Sequence, residues 1–90
     1  MNRIMAVCGS GLGSSFMVEM NVNEILGELG LSGFEVSHNS LADATADQAD
    51  IFITASDLEA SASHLPNLIT LDALFDKDEL KVKLQEKLGL

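Results

Sequence analysis

The stretch "IMAVCGSGLGSSFM", residues 4–17, runs an apolar tetrad into a glycine-rich turn and then into two serines and renewed hydrophobicity. Ile4 to Val7 have strand character, and Gly9, Gly11 and Gly13 mark a tight loop. Beyond the serines, Val18, Val22, Ile25, Leu26 and Leu29 recur at helical spacing, while Glu19, Asn23, Glu24 and Glu28 fall largely elsewhere. A strand, a loop and a helix from Ser14 to Leu29, stopped by Gly30, form the first half of a βαβ unit. Cys8, the only cysteine in the sequence, closes the strand and opens the loop. No disulfide can form within the chain.

The rest of the sequence repeats the alternation. "FEVSHNSL" (34–41) alternates apolar with polar or small residues and predicts a half-covered strand near the sheet edge. "ADATADQA" (42–49) predicts one or two helical turns, and "DIFITA" (50–55) is continuously apolar after its aspartate, as a central parallel strand would be. "SDLE" (56–59) has the form of a capping box opening a brief helix, and "NLITLD" (67–72), after the only proline, predicts the fourth strand. In "FDKDEL" (75–80), Asp76 is placed to cap the last helix, with Glu79 at its third position and Phe75 stapling onto Leu80. Leu80, Leu84 and Leu88 then form a buried stripe. Strands alternating with helices imply right-handed crossovers. The expected fold is therefore α/β and Rossmann-like: one domain over residues 1–90, a four-stranded parallel sheet in the order 2-1-3-4, and helices on both faces. In that order the connections leaving strands 1 and 3 diverge and open a crevice at the carboxyl end of strand 1. The glycine loop lies there.

Composition bounds the partners. Of 90 residues, 47% are hydrophobic, too many for a disordered chain, yet no stretch of about 18 apolar residues offers a membrane span. The N-terminal "MNRIMAVCGSG" carries one arginine and a short apolar run, and no secretory signal is expected from it. Fourteen acids against five Lys and Arg give a net charge of −9, which repels nucleic acid and anionic lipid as direct partners. Residues 43–72 hold Asp43, Asp47, Asp50, Asp57, Glu59 and Asp72 and no basic residue, whereas four of the five basic residues fall in the last helix.

The glycine loop, followed by a helix start, can turn its amide N–H groups inward as an anion nest, with the positive end of the helix dipole behind it. Cys8 then stands at its base, and Ser14 and Ser15 are placed to cap the helix or donate to the sulfur. A thiol of pKa ~8.5 becomes mostly thiolate after a drop of about two units, or roughly 2.7 kcal/mol of differential stabilisation. One or two charge-assisted amide hydrogen bonds, at about 1.5–3 kcal/mol each, together with the dipole supply that without a cation. Cys8 is therefore a candidate nucleophile for a phosphoryl group; the competing reading is a small buried residue closing the strand.

Other glycine-loop chemistries fail on residues. A nucleotide P-loop needs lysine after the last glycine, where Ser14 stands, and the dinucleotide fingerprint needs its third glycine one residue later. A low-molecular-weight tyrosine phosphatase loop places arginine where Ser14 is, and the loss of a bidentate guanidinium cripples ester hydrolysis. His38 and His64 lack ligand spacing with Cys8, so no metal site is expected. His38 reads as a surface histidine near the carboxyl end of strand 2, at the edge of the crevice. Asp57 and Asp72 follow strands 3 and 4 on the same rim and read as caps or turn formers. Met17 and Met20 read as core or rim filler, or with Phe16 as an adaptable docking surface.

On these residues, and on "AVCGSGLGSSFMVEMNV" (6–22) above all, the chain resembles the enzyme IIB components of the bacterial phosphoenolpyruvate:sugar phosphotransferase system. The likeness covers nearly the full length and is greatest to the ascorbate-type branch, the galactitol and lactose types being more distant. The resemblance implies that Cys8 becomes phosphocysteine and that Gly9, Ser10, Gly11, Leu12, Gly13, Ser14 and Ser15 surround the phosphoryl group. It implies a protein-N(pi)-phosphohistidine–sugar phosphotransferase without cofactor or metal, receiving phosphate from a IIA phosphohistidine and giving it to a sugar in the membrane permease IIC. Such a protein is cytoplasmic and joins the membrane only peripherally, through IIC. Contact with both partners is expected along the crevice rim: the loop, Phe16, residues 39–43 and residues 55–59. A phosphatase-like hydrolase and a thiol redox or regulatory module remain as alternatives, the latter lacking a resolving cysteine of its own.

Overall fold

Apolar runs become strands where their alternation or continuity predicts them: β1 (Arg3–Cys8), β2 (Glu35–Ser40), β3 (Ile51–Ala55) and β4 (Leu68–Leu71). The structure, a computed structural model, describes residues 2–9 and 14–90. All pairings are parallel and the order is β2-β1-β3-β4, with Ile4 opposite Val36 on one side and Ile51 on the other. β3 has β1 and β4 as neighbours and buries Ile51 to Thr54 without a break, which explains its unalternating sequence.

Two α-helices, α1 (Ser14–Glu28) and α2 (Lys77–Leu88), complete the regular structure with two single-turn 3₁₀ helices, Ser56–Leu58 and Ala60–Ala62. Both α-helices lie on one face of the sheet. There Val18, Val22, Ile25, Leu26, Leu80 and Leu84 pack against Ile4, Ala6, Ile51, Ile53, Ile69 and Leu71. The opposite face carries Met5, Val7 and Phe52 and is covered by Ala44, Ala49, Ala62 and Leu65. Helices on both faces, as expected from the sequence, therefore hold only in that the second cover includes two 3₁₀ turns. Residues 42–49 form turns instead of α-helix. The Ser56–Glu59 capping box is not formed either: Ala55 stands at the N-cap and makes no side-chain cap. Segments this short take the backbone that fits alanines against the sheet, because one helical turn adds too few hydrogen bonds to dictate its own form.

Helix ends follow their residues. Gly30, at φ 69°, ends α1 as its N–H reaches the Gly27 carbonyl at 3.2 Å and that of Leu31 reaches Leu26 at 2.9 Å, a Schellman closure. Asp76 caps α2, accepting from the N–H groups of Asp78 and Glu79 at 3.0 and 3.1 Å. Phe75 is 59% exposed and does not bury itself as a staple over Leu80. Glu79 turns away from the cap: its carboxylate accepts from the Asp72 and Ala73 N–H groups at 2.9 and 3.0 Å and from Lys83 at 2.8 Å. It thus closes the turn between β4 and α2.

Lys83 first, then those two amides, hold the Glu79 carboxyl down at about 2, against an ordinary 4.5. Because the folded value lies below the unfolded one, this contribution is complete above about pH 4.5 and lost as pH falls toward 2. Glu79→Gln is expected to flatten the acid limb of stability between those values, read as urea midpoints at successive pH. An unchanged limb would show that this carboxylate does not close the turn.

Candidate active site

β1 brings Cys8 to the carboxyl end of the sheet, where the chain leaves β1 toward β2 and leaves β3 toward β4. Cys8 is buried and stands opposite Ser40 in the ladder, its carbonyl accepting from Leu41 N–H at 2.7 Å. Alternation from Ile4 and Ala6 puts its side chain on the face that carries α1. A Cβ at Gly9 would meet nothing within 4 Å, and Gly9 is outside the left-handed region, so local sterics do not demand glycine there. Ser10, Gly11, Leu12 and Gly13 lie outside the described residues.

α1 begins at Ser14, immediately beyond that loop. Ser15 is 1% exposed, and among the described residues its Oγ has no hydrogen-bond partner. A buried hydroxyl left without a bond costs about 1–3 kcal/mol, which a ligand oxygen or thiolate at this helix end would recover. Thr54, fully buried near the end of β3, carries a second hydroxyl in the same condition.

His38 lies on β2 opposite Ala6, and its Nδ1 is 2.6 Å from Oε1 of Glu19. A carboxylate only accepts, so Nδ1 carries the hydrogen. Phe16 packs against the imidazole edge-on, with ring centroids 5.7 Å apart. Phe16, Met17 and Met20 are 48%, 44% and 42% exposed, so the two methionines belong to the rim rather than the core. His64 is structural, donating from Nε2 to the Ala44 carbonyl at 3.2 Å and tying together two segments of the second cover. Asp57 opens the first 3₁₀ helix, while Asp72 follows β4, two strands from β1; the structure does not gather Asp72 with Cys8.

The basic side chains lie elsewhere. Arg3 begins β1 and pairs with Asp50 at 3.6 Å. On α2, Lys77 binds Glu24 and Glu28 at 2.9 and 2.7 Å and is pushed up to about 12 chiefly by Glu24, while Lys83 binds Glu79. Among the described residues, no group of three or more His, Cys, Asp or Glu side chains is arranged to hold a metal ion. The carboxyl end of β1 thus presents a buried thiol, α1 begins at Ser14 with the Ser15 hydroxyl buried, and a carboxylate-bound histidine stands on the neighbouring strand.

A family model described as "PTS system, Lactose/Cellobiose specific IIB subunit" matches residues 3–86. The chain belongs to this IIB family. The match takes in β1, α1 and every later strand, together with most of α2. Among curated proteins, none matches the chain. As a IIB protein it is a phosphotransferase subunit of a sugar-transport phosphotransferase system, of a family that works with IIA and IIC components. Among the described residues of this IIB chain, no helix is long and apolar enough to cross a membrane. Glu19 was not legible as a site residue from sequence: it read as part of the polar face of α1, and nothing in the spacing tied it to His38.

Proposed function

We propose that Cys8 is the phosphocarrier of this IIB chain. Its sulfur attacks the phosphorus of a IIA phosphohistidine, forming an S–P bond as the P–N bond breaks, and then yields the group to a sugar hydroxyl held by IIC. The observation that carries this is the burial of Cys8 at the divergence of β1 and β3, beside a helix start whose Ser15 hydroxyl is buried without a partner. Gly9 through Ser15 surround the phosphoryl oxygens in this reading, and their amides supply the stabilisation that the absent arginine supplies in a phosphatase. A nest without a guanidinium suits a relay, which holds the group at high transfer potential and does not complete hydrolysis.

In this reading the exposed Phe16, Met17 and Met20 form part of the rim on which IIA and IIC dock, and the protein works in the cytoplasm at the inner face of the permease. For the sugar we favour an ascorbate-like acid, on the likeness of residues 6–22, although the matching family description names lactose and cellobiose. The specific reaction is that of a protein-N(pi)-phosphohistidine–sugar phosphotransferase. Incubation with phosphorylated IIA, followed by intact mass and peptide mapping, should show one phosphoryl adduct, on Cys8. An adduct on another residue, or none, overturns the assignment. Competition among ascorbate, lactose and cellobiose for release of that adduct in IIC membranes tests the sugar.

A further inference from the structure

We propose that His38, oriented by Glu19, is the base that takes the proton of the Cys8 thiol. The inference rests on Cys8 being the nucleophile and adds a group that the glycine loop does not contain. His38 and Cys8 project from the same sheet face on adjacent strands, two ladder positions apart. Strand spacing and rise put their Cα atoms about 8 Å apart, within the combined reach of a cysteine and an imidazole. Glu19 holds Nδ1–H at 2.6 Å and Phe16 lies edge-on to the ring, so the tautomer is set with Nε2 as the basic nitrogen. A nucleophile, a base and a carboxylate that orients the base recur wherever a weak nucleophile is activated without a metal.

The charged group against His38 is Glu19 from α1, and Cys8 follows two ladder positions along β1. Beyond β2, Asp43 accepts from the Ser40 hydroxyl at 2.9 Å. In the first transfer the thiol proton passes to Nε2, the S–P bond forms, the P–N bond breaks, and the departing imidazole takes a proton from water. In the second the S–P bond breaks, the sugar O–P bond forms, the sugar hydroxyl releases its proton to water, and His38 returns its proton to sulfur. Protons and electron pairs balance over the cycle.

Alkylation of Cys8 by iodoacetamide tests this without any phosphoryl donor. His38→Gln is expected to slow alkylation about tenfold at neutral pH, one unit of thiol acidity, and to move the pH profile upward. Glu19→Gln, which keeps an acceptor but loses the charge, should give a smaller change in the same direction. Superimposable profiles for wild type and His38→Gln would overturn the proposal. Should that variant fail to fold, the wild-type chain suffices: alkylating Cys8 must displace the NMR resonances of the His38 ring, and an unmoved His38 spectrum overturns the proposal equally. A wild-type chain with His38-dependent alkylation that never accepts phosphate would defeat the carrier reading alone.

Discussion

Cys8→Ser is expected to abolish phosphoryl uptake from IIA, with a rate loss of at least about 10³-fold, while leaving the fold intact. The thiolate, not the thiol, is the nucleophile, and a few per cent of an ordinary thiol is ionised at neutral pH. A serine hydroxyl offers no comparable anion for attack at neutral pH. The two side chains are nearly equal in size, so the buried position at the end of β1 is not emptied. Cys8→Ala, which keeps the position apolar, serves as the folding control. Circular dichroism and urea midpoints close to wild type, with no adduct in either variant, are the expected pair of results. A serine variant that relays phosphate at the normal rate would end the carrier assignment.

Phe52→Ala is expected to cost about 3–5 kcal/mol, the largest stability loss of any single truncation in this chain. Phe52 is fully buried on β3 and is the largest side chain on the face that lacks α-helices. Ala44, Ala49 and Ala62 cover much of that face with methyl groups, beside Met5, Val7 and Leu65, with Leu41 and Leu68 partly buried against them. Such neighbours cannot collapse into the space a phenyl ring leaves, so the cavity penalty adds to the transfer loss. A 90-residue domain has on the order of 5–13 kcal/mol of stability in all, so this one change removes a large share. Urea unfolding with an unchanged slope and a displaced midpoint measures it; a loss under about 1 kcal/mol would mean that the second cover repacks.

The two predictions bear on different halves of the molecule. Cys8 sits where chemistry needs a strand to end and a helix to begin, and its replacement should silence function without disturbing packing. Phe52 is the largest side chain of the second cover's core, and its loss should weaken the sheet that holds Cys8 in place. β3 pairs directly with β1 through Ile4, Met5 and Ala6, so slackening of this face reaches the strand that presents the thiol.

The strand order, the helix span and the position of the thiol were legible in the residues themselves. Val18, Val22, Ile25 and Leu26 repeat at the helical period because only one side of α1 meets the sheet, and all four are buried. The unbroken apolar run of β3 reflects neighbours on both edges and cover on both faces, and Gly30 stops α1 because the turn needs a positive φ. Cys8 ends β1, as the apolar run before the glycines predicts. Less was legible where segments are short. The stretches 42–49 and 56–62 carry helix-forming alanines, yet they became turns and 3₁₀ because their local preferences are smaller than the gain from seating Ala44, Ala49 and Ala62 on the sheet.

Periodicity, glycine placement and capping residues thus determined which segments are strands and helices and where the thiol stands, because each records a local demand of the backbone or a division between wet and dry sides. Only the tertiary structure decided that both α-helices share one face, that Glu79 closes a turn instead of a capping box, and that Glu19 grips His38. The shared face and the Glu19–His38 pair join residues far apart in the chain. They depend on which surfaces meet once the sheet has assembled, and no local preference encodes that.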